Sequence, residues 1–205
     1  MEVMRNIEPK NNFLKKVRKL CDQKKIILIF DECTSGFSET FGGIHKKYNV
    51  EPDIAMYGKT IGNGYALTAV VGIYSVMKAA ETSFISSTFW TERIGPTAAI
   101  ASLKEMERLN SWDIITKKGK AVQELWKKIA TENDVKINIS GIPALSTFTF
   151  SSDKAVEYKT LITQEMLKKG FLASTLFYAS VAHKDEYIKL YGEAMSEVFA
   201  TISDC

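Results

Sequence analysis

The stretch Ile26-Ile27-Leu28-Ile29-Phe30-Asp31-Glu32 is followed further on by Gly58-Lys59-Thr60-Ile61-Gly62-Asn63-Gly64, and these two segments decide how the rest of the chain is read. A continuous apolar run of the first kind predicts a strand buried on both faces, as in a parallel sheet. Asp31 stands where that strand leaves the core, the end from which side chains reach into the cleft of an open α/β sheet. Lys59 follows a second apolar piece, Ile54 to Tyr57, opened by Pro52-Asp53. The glycines around Lys59 allow backbone to pass close to a ligand.

The flanking sequence supplies matching elements. Phe13, Leu14, Val17, Leu20 and Cys21 share one helical face behind Pro9 and the cap candidates Asn11 and Asn12, giving a helix that feeds the Ile26–Phe30 strand. Ala66 to Tyr74 reads as another strand, and helix alternating with buried strand predicts an α/β layered sheet. Pro96 suits the first turn of a long helix through Met106. The character then changes to a charged helix from Ser111 to Asn133, with Ile114, Ile115, Val122, Leu125, Trp126 and Ile129 inside. A half-exposed strand over Leu145 to Phe150 follows, then a helix from Ala155 to Lys169 closed by Gly170. A short strand at Phe171 to Ala173 and a last helix from about Lys184 to Ile202 complete a smaller α+β region.

The 205 residues are 45% apolar and 25% charged, the balance of a globular protein able to bury a sizeable core. A net charge of +3, with lysines interspersed among acids, argues against nucleic acid or a membrane surface as partner. Cys21, Cys33 and Cys205 are too few and too irregular for a disulfide framework or metal cluster, and His45 and His183 lie far apart, so no metal is expected. The amino terminus, with Glu2 and Arg5, has no signal-like apolar segment, and the expected location is cytoplasmic.

A carboxylate facing a ring nitrogen and a lysine amine facing an aldehyde are the two protein groups that pyridoxal phosphate most needs, and the pairing of Asp31 with Lys59 points to that chemistry. The plain structural alternatives are an Asp that caps the turn after its strand and a solvated loop lysine. The glycines and the second motif weigh against both.

Taken together, Leu28-Ile29-Phe30-Asp31-Glu32-Cys33-Thr34-Ser35-Gly36-Phe37, Pro52-Asp53-Ile54 and Gly58-Lys59-Thr60-Ile61-Gly62-Asn63-Gly64 resemble the class III aminotransferase family, which includes the glutamate-1-semialdehyde aminomutases. The resemblance continues through Val71-Gly72 and from Ser87 to Ala99, and more faintly into the last helix. It implies an α/β fold of the fold-type I transferase kind. Residues 1–109 would form part of the large α/β/α domain that binds pyridoxal 5'-phosphate, and residues 110–205 a small C-terminal α+β domain. It also implies amino transfer, by a transaminase or an aminomutase, through a Schiff base on Lys59. An amino-group donor and a carbonyl acceptor would be the small-molecule partners, and the complete enzyme would be a homodimer. Family members run to roughly twice this length, a size of two or more domains. The chain therefore resembles a C-terminal half, a fragment lacking the family's upstream phosphate-cradling turn and ring-stacking aromatic residue.

The resemblance assigns roles by position. Asp31 would keep the ring nitrogen protonated, since a neighbouring carboxylate raises its pKa. Lys59 would carry the cofactor and then move the α-proton. Cys33 would share the face of Asp31 in an extended segment and pack against the ring where relatives carry Val, with a reactive thiol as the alternative. Thr91, shortly before Pro96, matches the threonine that reaches the partner subunit's cofactor phosphate. Thr88 and Ser87 are rivals, because Trp90, Glu92 and Arg93 depart from the small residues usual there. Ser38 replaces an Arg common in relatives, His45 is expected on a surface helix, and His183 near the start of the last helix.

Two other readings compete. An apolar strand ending in Asp-Glu and a Gly58-Lys59-Thr60 triplet resemble parts of a P-loop ATPase, but the position needing the first glycine holds Asp53 and the order of motifs is reversed. The second is a catalytically inactive half-enzyme or interaction module that does not bind pyridoxal phosphate alone.

Overall fold

The computed structural model describes residues 7–89 and 91–204; Glu2, Arg5, Trp90 and Cys205 lie outside the described residues. The chain divides after Asp113 into two compact units.

In the first unit, α1 (Phe13–Lys24) leads into β1 (Ile29–Asp31). Asn11 and Asn12 do not cap α1 through their side chains; both adopt left-handed backbone, a conformation Asn tolerates, and turn the chain into the helix. Lys25 closes it in the same conformation, with Ile26 N–H donating to the Cys21 carbonyl at 2.9 Å. Arg18 on α1 donates to Asp53 Oδ2 at 2.9 Å, and the same oxygen accepts Leu28 N–H at 2.6 Å. This bridge ties the helix to the start of the sheet.

The expected strand Ile26–Phe30 is shorter and shifted, and it is not buried on both faces. Leu28 and Phe30 point into the core while Ile26, Ile27 and Ile29 are exposed. Only one sheet face is covered within this chain, so the run alternates in burial although it does not alternate in polarity. β2 (Ile54–Tyr57) pairs parallel with β1, Ile29 opposite Ile54 and Asp31 opposite Met56. β3 (Ala69–Gly72) pairs antiparallel with β2, so the three-stranded sheet is mixed rather than wholly parallel. A short α2 (Tyr74–Met77) follows. α3 (Ile94–Leu109) has Pro96 in its first turn and lays Ala99 and Met106 over Phe37 and Ile61. Asn110, again left-handed, ends it.

α4 (Ser111–Glu132) carries the chain into the second unit. There β4 (Ile137–Ser140), β5 (Leu145–Phe150) and β6 (Leu176–Tyr178) form an antiparallel sheet. α5 (Ala155–Lys168) and α6 (Asp185–Ser203) pack with it. Val122, Trp126 and Ile129 of α4 meet Phe148 and Phe199 in one aromatic core, with Trp126 and Phe148 ring centroids 4.8 Å apart. The Trp126 indole N–H donates to the Tyr191 hydroxyl at 2.8 Å, which satisfies a buried donor. The strand expected at Phe171–Ala173 lies instead at Leu176–Tyr178. Gly170, at φ 86°, ends the helix turn, and ladder pairing with β5 begins only after the Thr175 carbonyl has accepted Phe148 N–H.

Candidate active site

The site is built at the carboxyl ends of β1 and β2. Asp31 is the last residue of β1, and Lys59 follows β2 across Gly58. Parallel strands in register deliver both to the same sheet edge. Asp31 Oδ1 accepts the Cys33 N–H at 3.0 Å, so one oxygen does cap the following turn. The Cys33 thiol also hydrogen-bonds to this carboxylate. The carboxylate is therefore oriented by its own turn, and two bonds do not exhaust what a carboxylate can accept.

Lys59 opens a 3-10 turn, Lys59–Ile61, with φ 45°, a left-handed backbone that a lysine rarely adopts and that commonly marks functional sites. Its Nζ donates to Thr34 Oγ1 at 2.8 Å. Cys33 lies between the two motifs: a Cβ added at Gly58 would stand 3.2 Å from its Sγ. Burial pushes the Cys33 thiol up, and the Asp31 carboxylate pushes it further, against the opposing charge of Lys59. That keeps Cys33 a neutral, small packing group and disfavours a reactive thiolate.

On the other side of the strand, Glu32 is fully enclosed, at 0% exposure. Its carboxylate accepts from Ser35 Oγ at 2.7 Å, Ile44 N–H at 2.9 Å and His45 N–H at 3.1 Å, and pairs with His45 Nδ1 at 2.7 Å. His45, expected on a surface helix, is 3% exposed within a 3-10 turn, packed against Phe30. It is a core histidine because Glu32 supplies a buried partner. Burial alone would raise the Glu32 pKa, but the bonds from His45, Ser35 and the Ile44 and His45 amides outweigh it and hold the carboxyl below its ordinary range. Burial also pushes the Tyr57 hydroxyl up, with Glu32 and Glu51 adding to the shift, to about 12. Ser38 is likewise buried.

Thr91 is exposed in the turn before α3, with Ser87 and Thr88 exposed beside it. Among the described residues, no hydrogen bond joins Thr91 to Asp31, Cys33 or Lys59. At the start of α3, Glu92 accepts from Ile94 N–H and, at 3.1 Å, from Gly95 N–H. His183 precedes α6, its ring stacked on Phe177 and its Nδ1 accepting Ser180 N–H. No cluster that could hold a metal ion occurs among the described residues. Among them, no helix is long and apolar enough to cross a membrane.

A carboxylate and a lysine at the carboxyl edge of a parallel strand pair are the two kinds of group that pyridoxal phosphate chemistry uses. The comparisons agree in kind. Residues 6–188 match the family model described as aminotransferase class-III, and the chain belongs to that family. A 3-aminobutyryl-CoA aminotransferase from Cloacimonas acidaminovorans is 34% identical over 200 residues, covering 95% of this chain and 48% of that protein. A glutamate-1-semialdehyde 2,1-aminomutase from Bdellovibrio bacteriovorus is 28% identical, covering 86% of this chain and 46% of that protein. The fold matches the FumI protein of Sphingopyxis sp. MTA144 in its PLP internal aldimine form, with a TM-score of 0.87 at 22% identity over 93% of this chain and 46% of that one. The fold is thus that of part of a fold-type I transaminase, and the chain spans about half the length of the curated relatives it matches.

Proposed function

We propose that the chain is the C-terminal half of a pyridoxal-phosphate-dependent aminotransferase or aminomutase, with Lys59 as the lysine that bonds the cofactor's aldehyde carbon and Asp31 as the partner of its ring nitrogen. What supports this reading is the convergence of Asp31, Cys33 and Lys59 at the ends of two adjacent parallel strands. The residues fit the ring end of the cofactor. Asp31 is half-buried, with acceptor capacity beyond its bonds from Cys33, Cys33 is a neutral packing group, and Gly58 has no side chain to intrude.

Bound there, pyridoxal phosphate supplies the electron sink that makes the α-proton of an amino donor acidic. Asp31 stabilises positive charge on the ring nitrogen, as a carboxylate at hydrogen-bond distance does. Lys59 would take and return the α-proton, help worth typically about 10²–10⁴-fold. The first unit is then part of the large cofactor domain and the second the small domain. An amino donor and a carbonyl acceptor are the substrates of the complete, homodimeric enzyme, in which Thr91 reaches the partner's phosphate.

One observation favours a second reading for the isolated chain. The chain spans about half the length of its curated relatives, and the resemblance puts the turn that cradles its own cofactor's phosphate in the other half. An isolated half that binds the cofactor poorly is consistent with that. The experiment is borohydride trapping: incubate the chain with pyridoxal phosphate, reduce, and map the labelled peptides. Label is expected to concentrate on Lys59 and to vanish from the map in Lys59→Ala with thermal unfolding unchanged. Equal labelling of other lysines in both proteins would refute the assignment.

A further inference from the structure

Resting on the reading of Lys59 as the aldehyde-bonding lysine, we propose that Thr34 is the positioning residue that holds the Lys59 amine in place for bond formation. A lysine side chain has four rotatable bonds and loses rotamer entropy when held, so an amine that must meet a carbonyl carbon in one direction benefits from a fixed partner. The Thr34 hydroxyl is that partner, 2.8 Å from Nζ.

The hydroxyl is itself held from both sides. The residue before it, Cys33, is fixed by its N–H bond to Asp31 Oδ1, and the residue after it, Ser35, by its Oγ bond to the buried Glu32 carboxylate. Glu32 in turn is anchored to Ile44 and His45 of the next turn. Thr34 thus sits at the apex of a clamped turn, half-buried, with its side chain directed at Lys59. On the lysine side, the left-handed backbone at Lys59 sets the direction of the stem, and few residues adopt that conformation unless the surroundings enforce it. The two constraints meet at one hydrogen bond. A hydroxyl suits this position because it can accept from an ammonium and donate to a neutral amine, serving Lys59 before and after it gives up a proton.

The test uses the chain with pyridoxal phosphate as probe, reads the share and rate of borohydride-trapped label at Lys59, and compares Thr34→Val, Thr34→Ala and Thr34→Ser. Valine keeps the shape and removes the hydroxyl; serine restores it. Loss of one hydrogen bond to a charged group predicts a fall of roughly tenfold in label at Lys59 for Val and Ala, with labelling near the parent level for Ser. Chemical denaturation midpoints for all three are expected to match the parent, and the smaller Ala reports independently of any packing fault in Val. Val and Ala labelling like the parent would overturn the role of Thr34 while leaving that of Lys59 intact. Equal loss in Ser would overturn it too, because the effect would then be one of packing. Label in the parent that is not concentrated on Lys59 would overturn the assignment of Lys59 and the role of Thr34 with it.

Discussion

A carboxylate with no exposed surface must find its hydrogen bonds inside the protein, and Glu32 takes them from Ser35, Ile44 and His45. Strand alternation sends Asp31 and Glu32 to opposite sides: Asp31 stays half-buried, while Glu32 enters the core, where it fixes the turn that bears Cys33 and Thr34. Removing one partner of such a buried pair strands the other, and Glu32→Ala is expected to destabilise the fold by about 3–5 kcal/mol. The pH dependence has a definite sign. The folded pKa of Glu32 lies below its ordinary value of 4.5, so its stabilising contribution is complete above that value and is lost as pH falls through the lower folded one. Denaturant titrations at neutral and acid pH should show this loss in the parent, and in Glu32→Gln that part of the slope should disappear from a protein already weaker at neutral pH. An unchanged acid slope in Glu32→Gln would mean that other carboxyls carry it. The importance of His45 was not legible in the sequence, because its partner is a non-local contact and the intervening segment has no periodicity to show which side faces inward.

At the scale of elements, Ile54–Tyr57 and Leu145–Phe150 were readable to the residue, since Pro52-Asp53 opens the first and clean alternation defines the second. The β1 run was over-read because polarity cannot show which side of an apolar run is covered. β4 escaped notice: Ile137-Asn138-Ile139-Ser140 alternates, but over too few residues to stand out. Gly119 also looked unremarkable, a helix-interior glycine that propensity alone would replace with Ala for a gain of about 1 kcal/mol. In the structure a Cβ at Gly119 would lie 1.8 Å from the Pro143 carbonyl oxygen and 2.3 Å from its carbon. Those are backbone atoms of the turn before β5, which cannot swing aside as a side chain can. Gly119→Ala is therefore expected to destabilise by about 1–3 kcal/mol, the range for overpacking. Equilibrium unfolding in urea reads the sign directly, and a gain in midpoint would contradict this close approach of helix and turn.

For the whole molecule, the three linked motifs were enough to read the family and the fold from sequence, because strand, turn and glycine positions repeat a pattern tied to one chemistry. Substrate was not readable: the motifs report chemistry common to the family, and the chain spans about half the length of relatives whose names differ in substrate. We expect the isolated chain to bind pyridoxal phosphate weakly and to carry out no amino transfer alone. A bond at Lys59 and a contact at Asp31 would remain available, but the chain spans about half the length of its relatives, and the resemblance puts the phosphate-cradling turn in the other half. Each charge-assisted hydrogen bond that a phosphate fails to make costs roughly 1.5–3 kcal/mol, so the loss of several lowers affinity by orders of magnitude. Exposed apolar side chains such as Phe84 and Leu172, each 96% exposed, with Ile27 and Ile29 on the open sheet face, should also drive the chain to associate. Absorbance titration with pyridoxal phosphate, sedimentation, and an amino-transfer assay would be run on the chain alone and again with a polypeptide matching the N-terminal half of a relative. Turnover that returns only with the second polypeptide, along with tighter cofactor binding and less self-association, is the expected result; tight binding and full turnover by the chain alone would refute it.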